Sequence, residues 1–241
     1  MTAFTLSRRL FVLGAPAALA GCVSTRPGPV AVIDRRRNAD AEYEAMYGEL
    51  TNEPYPVPAI EPGTIDPIYQ RQLVNYPARY QPGTIVVDPE NKFLYLVRGG
   101  GQAMRYGIGV GREGFGWSGN ARVGRKAMWP TWTPPSQMIQ RQPELQKYAG
   151  GMPPGIENPL GARALYLYQG NRDTLYRLHG TNDPESIGTA VSSGCIRLVN
   201  QDIIDLFSRA PVNTPVVVLA NGNGPEPGYD PIVGDNSAFI E

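Results

Sequence analysis

The chain has 241 residues, 41% of them apolar, which suffices for one domain of ordinary size with extensions and not for two large ones. Its 22 basic and 22 acidic residues balance, so no basic face for a phosphate backbone is indicated and nucleic acid is not an expected partner. Glycine (28) and proline (24) together exceed a fifth of the chain, which excludes a helical bundle and points to turns, short strands and extended segments.

Residues 1–22 read as a signal peptide. Arg8 and Arg9 precede an apolar run from Leu10 to Ala20, too short to cross a bilayer as a helix and right for a secretory h-region. Ser7-Arg8-Arg9-Leu10-Phe11-Val12 resembles a twin-arginine export signal, so the route is Sec or twin-arginine. Leu19-Ala20-Gly21-Cys22 resembles the lipobox of bacterial lipoproteins, whose cysteine is lipidated after cleavage. The expectation is a periplasmic protein held to the membrane through a lipid on Cys22, with Val23 in place of aspartate leaning toward the outer membrane. The other cysteine, Cys195, then has no disulfide partner in a compartment that pairs thiols, so it is expected to be buried or to do chemistry. One histidine and no CxxC leave too few soft ligands for a structural zinc site; neither metal nor cofactor is expected.

Residues 23–75 read as an extended, Pro-rich tether between membrane and domain. Within it Ala39–Leu50 forms a short helix with Tyr43, Met46, Tyr47 and Leu50 on one face, which packs on the domain. The domain runs from 76 to 220. Thr84–Asp88 and Lys92–Val97 form a hairpin about Pro89-Glu90-Asn91. Further strands are expected at Arg105–Val110, Ala164–Tyr168, Thr174–His179 and Thr214–Ala220. One helix follows Asn200 as N-cap, with Ile203, Ile204, Leu206 and Phe207 turned inward, and stops before Pro211. Between Trp132 and Leu160 lies a long connection with only short helical fragments, the pattern of a lid or binding loop. Trp129, Trp132 and Tyr148 are candidates for its cleft wall or for core packing. Residues 221–241 read as a flexible tail.

The only histidine, His179, ends a strand, and Cys195 follows sixteen residues later. A cysteine is a useful nucleophile at neutral pH when a nearby imidazole takes its proton. Gly194 lets the backbone turn so that N–H groups face an incoming carbonyl oxygen. On these residues alone, a Cys/His dyad and a buried thiol beside a strand-end histidine are both open. A cell-wall cysteine peptidase usually places cysteine before histidine, the reverse of the order here, and a redox protein wants a second thiol. A non-catalytic wall-binding lipoprotein needs no dyad at all.

The longer string, His179-Gly-Thr-Asn followed by Ser186-Ile-Gly and Val191-Ser-Ser-Gly-Cys-Ile-Arg-Leu198, resembles the signature of the YkuD-type L,D-transpeptidase catalytic domain. The stretches GIGVGREGFGWSGNARVGRKAMWPTWTPP and NPLGARALYLY are similar to the flanking strands of its ErfK/YbiS branch; Ser193 stands where many relatives have histidine. The resemblance implies a mainly β fold, a YkuD-like β-sandwich of mixed sheets with one packed helix and a long lid loop. It implies Cys195 as nucleophile, His179 as base oriented by the Gly180 carbonyl, and backbone N–H groups of Gly194 and Cys195 as oxyanion hole. Arg197 would hold a substrate carboxylate or pin the loop, and Ser192 and Ser193 would bond within it. Asp183 reads as an Asx turn before Pro184. The implied partners are peptidoglycan stem peptides, with an envelope protein as an alternative acyl acceptor and water giving a carboxypeptidase. Covalent inhibition by carbapenems is implied as well.

Overall fold

The computed structural model describes residues 35–77, 80–111, 117–192 and 195–220; the leader with Cys22, the tail from 221, and Ser193 and Gly194 lie outside them. Eleven strands are described: β1 (Gln72–Asn75), β2 (Ile85–Asp88), β3 (Phe93–Val97), β4 (Gln102–Gly107), β5 (Val110–Gly111), β6 (Gly119–Met128), β7 (Arg163–Gln169), β8 (Arg172–His179), β9 (Ala190–Ser192), β10 (Ile196–Arg197) and β11 (Pro215–Val218). Nine of them form one mixed sheet in the order β1-β4-β3-β2-β11-β6-β7-β8-β10, and β5 pairs with β9. Within the large sheet, β2–β11 and β8–β10 are the parallel pairs.

Ile85, Val87, Leu94 and Leu96 from one end of the sheet and Val123, Leu165, Leu167 and Leu178 from the other belong to a single buried cluster. The sheet therefore curls until its two halves face one another, which is how one ladder forms a sandwich. The helix α3 (Asn200–Arg209) closes this core with Ile203 and Leu206, both fully buried. The side chains of β2 and β3 that point the other way, Val86, Phe93, Tyr95 and Val97, make a second cluster with Val74 and Tyr76. The hairpin turn is set by Asp88, whose carboxylate accepts from the Asn91 N–H at 3.1 Å and side-chain amide at 2.8 Å.

The expected helix is present and packs on the domain, but residues 48–75 depart from the expected tether. The helix α1 (Arg35–Tyr47) ends on Tyr47, which is fully buried with Ile60, Ile65, Ile187 and Val199. Val57 packs with Trp129 and Ala162, and β1 adds to the sheet beside β4. Scattered prolines look like a linker, but the apolar residues between them each find a separate pocket, so the segment is a packed strap. Its polar contacts are as specific. Glu53 pairs with Arg163 at 2.5 Å and accepts from Trp129 Nε1 at 2.9 Å, and Gln201 Nε2 donates to Pro58 O at 2.9 Å.

Three local differences have clear causes. Val199, not Asn200, caps α3; the Asn200 side chain is turned to other partners, described below. The predicted strand Arg105–Val110 is divided into β4 and β5. The ten-residue β6 lies in a stretch that only the family resemblance marks as strand, because Val123 is its single buried side chain and it lacks apolar alternation. Its Gly124 sits at a bulge against β7, where a Cβ would collide with the Tyr168 ring.

Candidate active site

Strand pairing brings the predicted dyad together. β10 runs parallel to β8 with Ile196 opposite Leu178 and Arg197 opposite His179. Ile196 and Leu178 both point into the core. Since side chains alternate, Cys195, Arg197, Arg177 and His179 share the opposite face. Cys195 lies one step before Ile196, diagonal to His179, a placement of about 7–8 Å between Cα atoms. The crossover from 180 to 195 is what returns the chain parallel, so the sixteen-residue separation in sequence becomes adjacency in the sheet.

His179 is 4% exposed, and its Nδ1 lies 2.5 Å from the carbonyl oxygen of Gly180. A carbonyl only accepts, so Nδ1 carries the proton and donates, leaving the Nε2 lone pair for another group. Burial, with added repulsion from Arg197 and Arg177, lowers the imidazole pKa to about 4, although the Gly180 bond opposes this. Burial likewise raises the Cys195 thiol, which the charge and backbone N–H of Arg177 and the charge of Arg197 partly offset. Near neutral pH the pair at rest is thiol and neutral imidazole. Such a pair works by moving a proton as the sulfur attacks, not by storing a thiolate.

The loop that carries Gly180 is held from several sides. Asn200 Oδ1 accepts from the Ala162 N–H at 2.8 Å, and its Nδ2 donates to Thr181 O at 3.0 Å. A Cβ at Gly180 or Gly161 would run into Asn200 Oδ1, so both positions require glycine. The Arg197 backbone exchanges two hydrogen bonds with Gly109, and Gly188 N–H donates to Ile108 O at 3.0 Å. The Tyr69 ring of the strap occupies the space a side chain at Gly188 would need. Thus the strap supports the loop between His179 and Cys195 from beneath, through Tyr69 here and Tyr47 against Ile187 and Val199.

The other predicted residues are distributed as follows. Asp183 makes no side-chain cap; the Thr181 hydroxyl accepts from the Asp183 N–H at 3.0 Å instead, which replaces the expected Asx turn. Its carboxylate is one of the charges acting on half-buried Arg197. Ser192 contributes backbone to β9 opposite Gly111, while Ser193 and Gly194 fall outside the described residues. Trp129 is 5% exposed and belongs to the strap contact, with Tyr55 at 4.9 Å. Trp132 and Met152 pair by two backbone bonds, at 3.1 and 2.6 Å, and form the neck of the long connection. Beyond that neck, α2 (Ser136–Arg141) and the 3₁₀ turn Pro143–Tyr148 contain no buried residue.

Two residues were not singled out from sequence as parts of this site. Arg177 reads there as a strand arginine, and its place beside the thiol follows only from the β8–β10 register. Asn200 reads there as a helix cap. Among the described residues no group of three or more His, Cys, Asp or Glu is placed to hold a metal ion, and no helix is long and apolar enough to cross a membrane.

The sequence model of the YkuD L,D-transpeptidase catalytic domain matches residues 82–218. The chain is 33% identical over 184 residues to the probable L,D-transpeptidase YbiS of Escherichia coli K12, covering 74% of this chain and 56% of that protein. It is 34% identical over 152 residues to the probable L,D-transpeptidase ErfK/SrfK of the same strain, covering 62% and 47%. The chain thus spans about half the length of the curated relatives it matches. A crystal structure described as a probable carnitine operon oxidoreductase from Brucella melitensis is 47% identical, with a TM-score of 0.46, covering 65% of this chain and 97% of that one. An L,D-transpeptidase from Mycobacterium smegmatis is 20% identical with a TM-score of 0.40, covering 57% and 58%.

Proposed function

The chain belongs to the YkuD L,D-transpeptidase catalytic-domain family, and we propose that it is an L,D-transpeptidase acting on peptidoglycan tetrapeptide stems. The observation that carries this reading is the shared face of Cys195 and His179, with His179 Nδ1 anchored on the Gly180 carbonyl. Cys195 Sγ attacks the carbonyl carbon of the third stem residue, diaminopimelate, as its proton passes to His179 Nε2. The oxyanion is held by the backbone N–H groups of Gly194 and Cys195. The imidazolium returns the proton to the amine of the departing D-alanine, leaving a thioester on Cys195. An acceptor amine then attacks the thioester, gives its proton to Nε2, and releases the sulfur, which is reprotonated.

The acceptor is the side-chain amine of a second stem, giving a 3–3 cross-link, or an amine of an envelope protein. The exposed connection beyond the Trp132–Met152 neck serves as the lid that excludes water from the thioester. Arg197, which feels the charge of Asp183, pins the loop or holds a substrate carboxylate. The leader sequence supports a periplasmic enzyme anchored by lipid on Cys22.

Product analysis tests the reading. The purified protein is incubated with a diaminopimelate-containing disaccharide-tetrapeptide beside Cys195→Ala, with mass spectrometry of muropeptides and intact protein. The expected result is loss of one D-alanine with an acyl-enzyme and a cross-linked dimer, all absent in the variant. Tripeptide alone would identify a hydrolase. Neither product nor acyl-enzyme would leave a wall-binding lipoprotein instead.

A further inference from the structure

The face that carries the dyad has a second row of side chains beside it. Arg125 of β6 pairs with Tyr166 of β7, Tyr166 with Arg177 of β8, and the next position across is that of Cys195. Arg125 holds its Cζ 3.5 Å from the centre of the Tyr166 ring, and Arg177 holds its own 4.5 Å from the same ring. Arg177 is locked by the Asp173 carboxylate in a two-bond contact at 2.8 and 3.1 Å. Arg125 is exposed and, among the described residues, makes no ion pair. Tyr166 is 8% exposed, so the ring is a buried platform on which one guanidinium is already paired with a carboxylate and the other is exposed. The neighbouring row, Ala127, Ala164 and His179, has small side chains beside the imidazole.

We infer that Arg125, stacked on Tyr166, is the receptor for a carboxylate of the acyl donor close to the scissile carbonyl. The inference rests on the transpeptidase reading. Strands lie about 4.8 Å apart, so the Tyr166 position is roughly 10 Å from that of Cys195. A diaminopimelate side chain extends roughly 6 Å at the rise of an extended chain, about 3.3–3.6 Å for every three bonds, and a guanidinium–carboxylate bond of about 3 Å completes that distance. The C-terminal carboxylate of the leaving D-alanine is the other source of the same chemistry. Arg177 and Arg197 act electrostatically on both the thiol and the imidazole, whereas Arg125 stands on β6, two strands away from β8, so its role is separable from the dyad.

The test measures single-turnover acylation of the full chain by intact-mass spectrometry, with wild type, Arg125→Gln and Arg125→Lys. The donors are a tetrapeptide with the diaminopimelate and D-alanine carboxylates unmodified, one amidated on diaminopimelate, and one amidated on D-alanine. Alkylation by iodoacetamide and a thermal melt report thiol reactivity and folding. Arg125→Gln is expected to raise the half-saturating concentration of the unmodified donor about tenfold, with the maximal acylation rate within threefold and alkylation unaltered. Lysine restores part of the loss. Amidation of the carboxylate that Arg125 holds penalises wild type by the same factor and Arg125→Gln not at all, which identifies the carboxylate. Equal responses of wild type and Arg125→Gln to all three donors would overturn the receptor and leave the transpeptidase standing. Absence of any acyl-enzyme on wild type would overturn both.

Discussion

The two halves of the curled sheet use their outer faces in opposite ways. On β2 and β3 that face carries Val86, Phe93, Tyr95 and Val97, covered by Val74, Tyr76 and the aromatic rings of residues 69 and 80. On β6, β7, β8 and β10 the equivalent face carries Arg125, Ala127, Tyr166, Arg177, His179 and Arg197. Both halves give their inner faces to the same core. One half therefore spends both surfaces on stability, and the other keeps one surface for charge and chemistry. A change on the covered face is a folding event, and a change on the uncovered face is a kinetic one.

Substitutions on the two faces separate these effects. On the uncovered face, Cys195→Ala is expected to lower transpeptidation by about 10⁴-fold or more while the melting temperature stays within a few degrees. On the covered face, Phe93→Ala removes a 1% exposed ring that meets Tyr69 at 5.5 Å and the Arg105 guanidinium at 4.4 Å. It should cost about 3–5 kcal/mol in chemical denaturation, with activity per folded molecule unaltered. If the C195A protein unfolded and the F93A enzyme merely slowed, the division would be wrong.

Glu53→Ala probes the strap that joins the halves. Burial alone would raise this carboxyl, but bonds from Arg163 and Trp129 overcome it and hold it below the usual range. Removing it strands a nearly buried Arg163 and should cost about 2–3 kcal/mol by the same denaturation assay. A smaller signal comes from pH. With the imidazole pKa at about 4, the acid limb of kcat/KM should fall near pH 4 and not near 6.5. Between those values the unfolded chain binds the proton that native His179 refuses, so this residue withdraws stability as pH falls.

Asp202 has the opposite sign. It is 1% exposed beneath the strap, 3.7 Å from Arg71 Nε, and Tyr47 donates to it at 3.4 Å. Burial raises its pKa to about 7 against the pull of Arg71. From about pH 4 to 7 the native state keeps a proton that the unfolded chain has lost, so stability declines as pH rises. Asp202→Asn should flatten that decline and gain about 1–2 kcal/mol above pH 7, read from melts across pH.

The hairpin of β2 and β3, the β7–β8 pair and α3 were legible because each carries its own local signal: alternation, a turn sequence, or a helical apolar stripe. Of the strap only the helix that carries Tyr47 was legible, by its apolar face; Val57, Ile60 and Ile65 were not, because they are spaced irregularly among prolines and divide between two separate clusters. At the site, His179 and Cys195 stand out in the sequence by rarity, one histidine and one unpaired thiol. Arg125, Arg177 and Asn200 do not, since what distinguishes them from other surface arginines and cap residues is strand register alone.

The parallel pairing of β11 with β2 has a consequence for how the molecule is made. β11 stands between β2 and β6, in the middle of the ladder, yet it is the final strand of the described chain. Until it emerges from the ribosome, the strand pairing that the amino-terminal meander and the carboxy-terminal strands share, among the described residues, is only the Gly109–Arg197 bridge and the short β5–β9 pair. Synthesis therefore leaves the main ladder in two parts until a late closing step of high contact order, which is slow. A chain cut before Pro215 should stay protease-sensitive however much of the preceding sequence it contains.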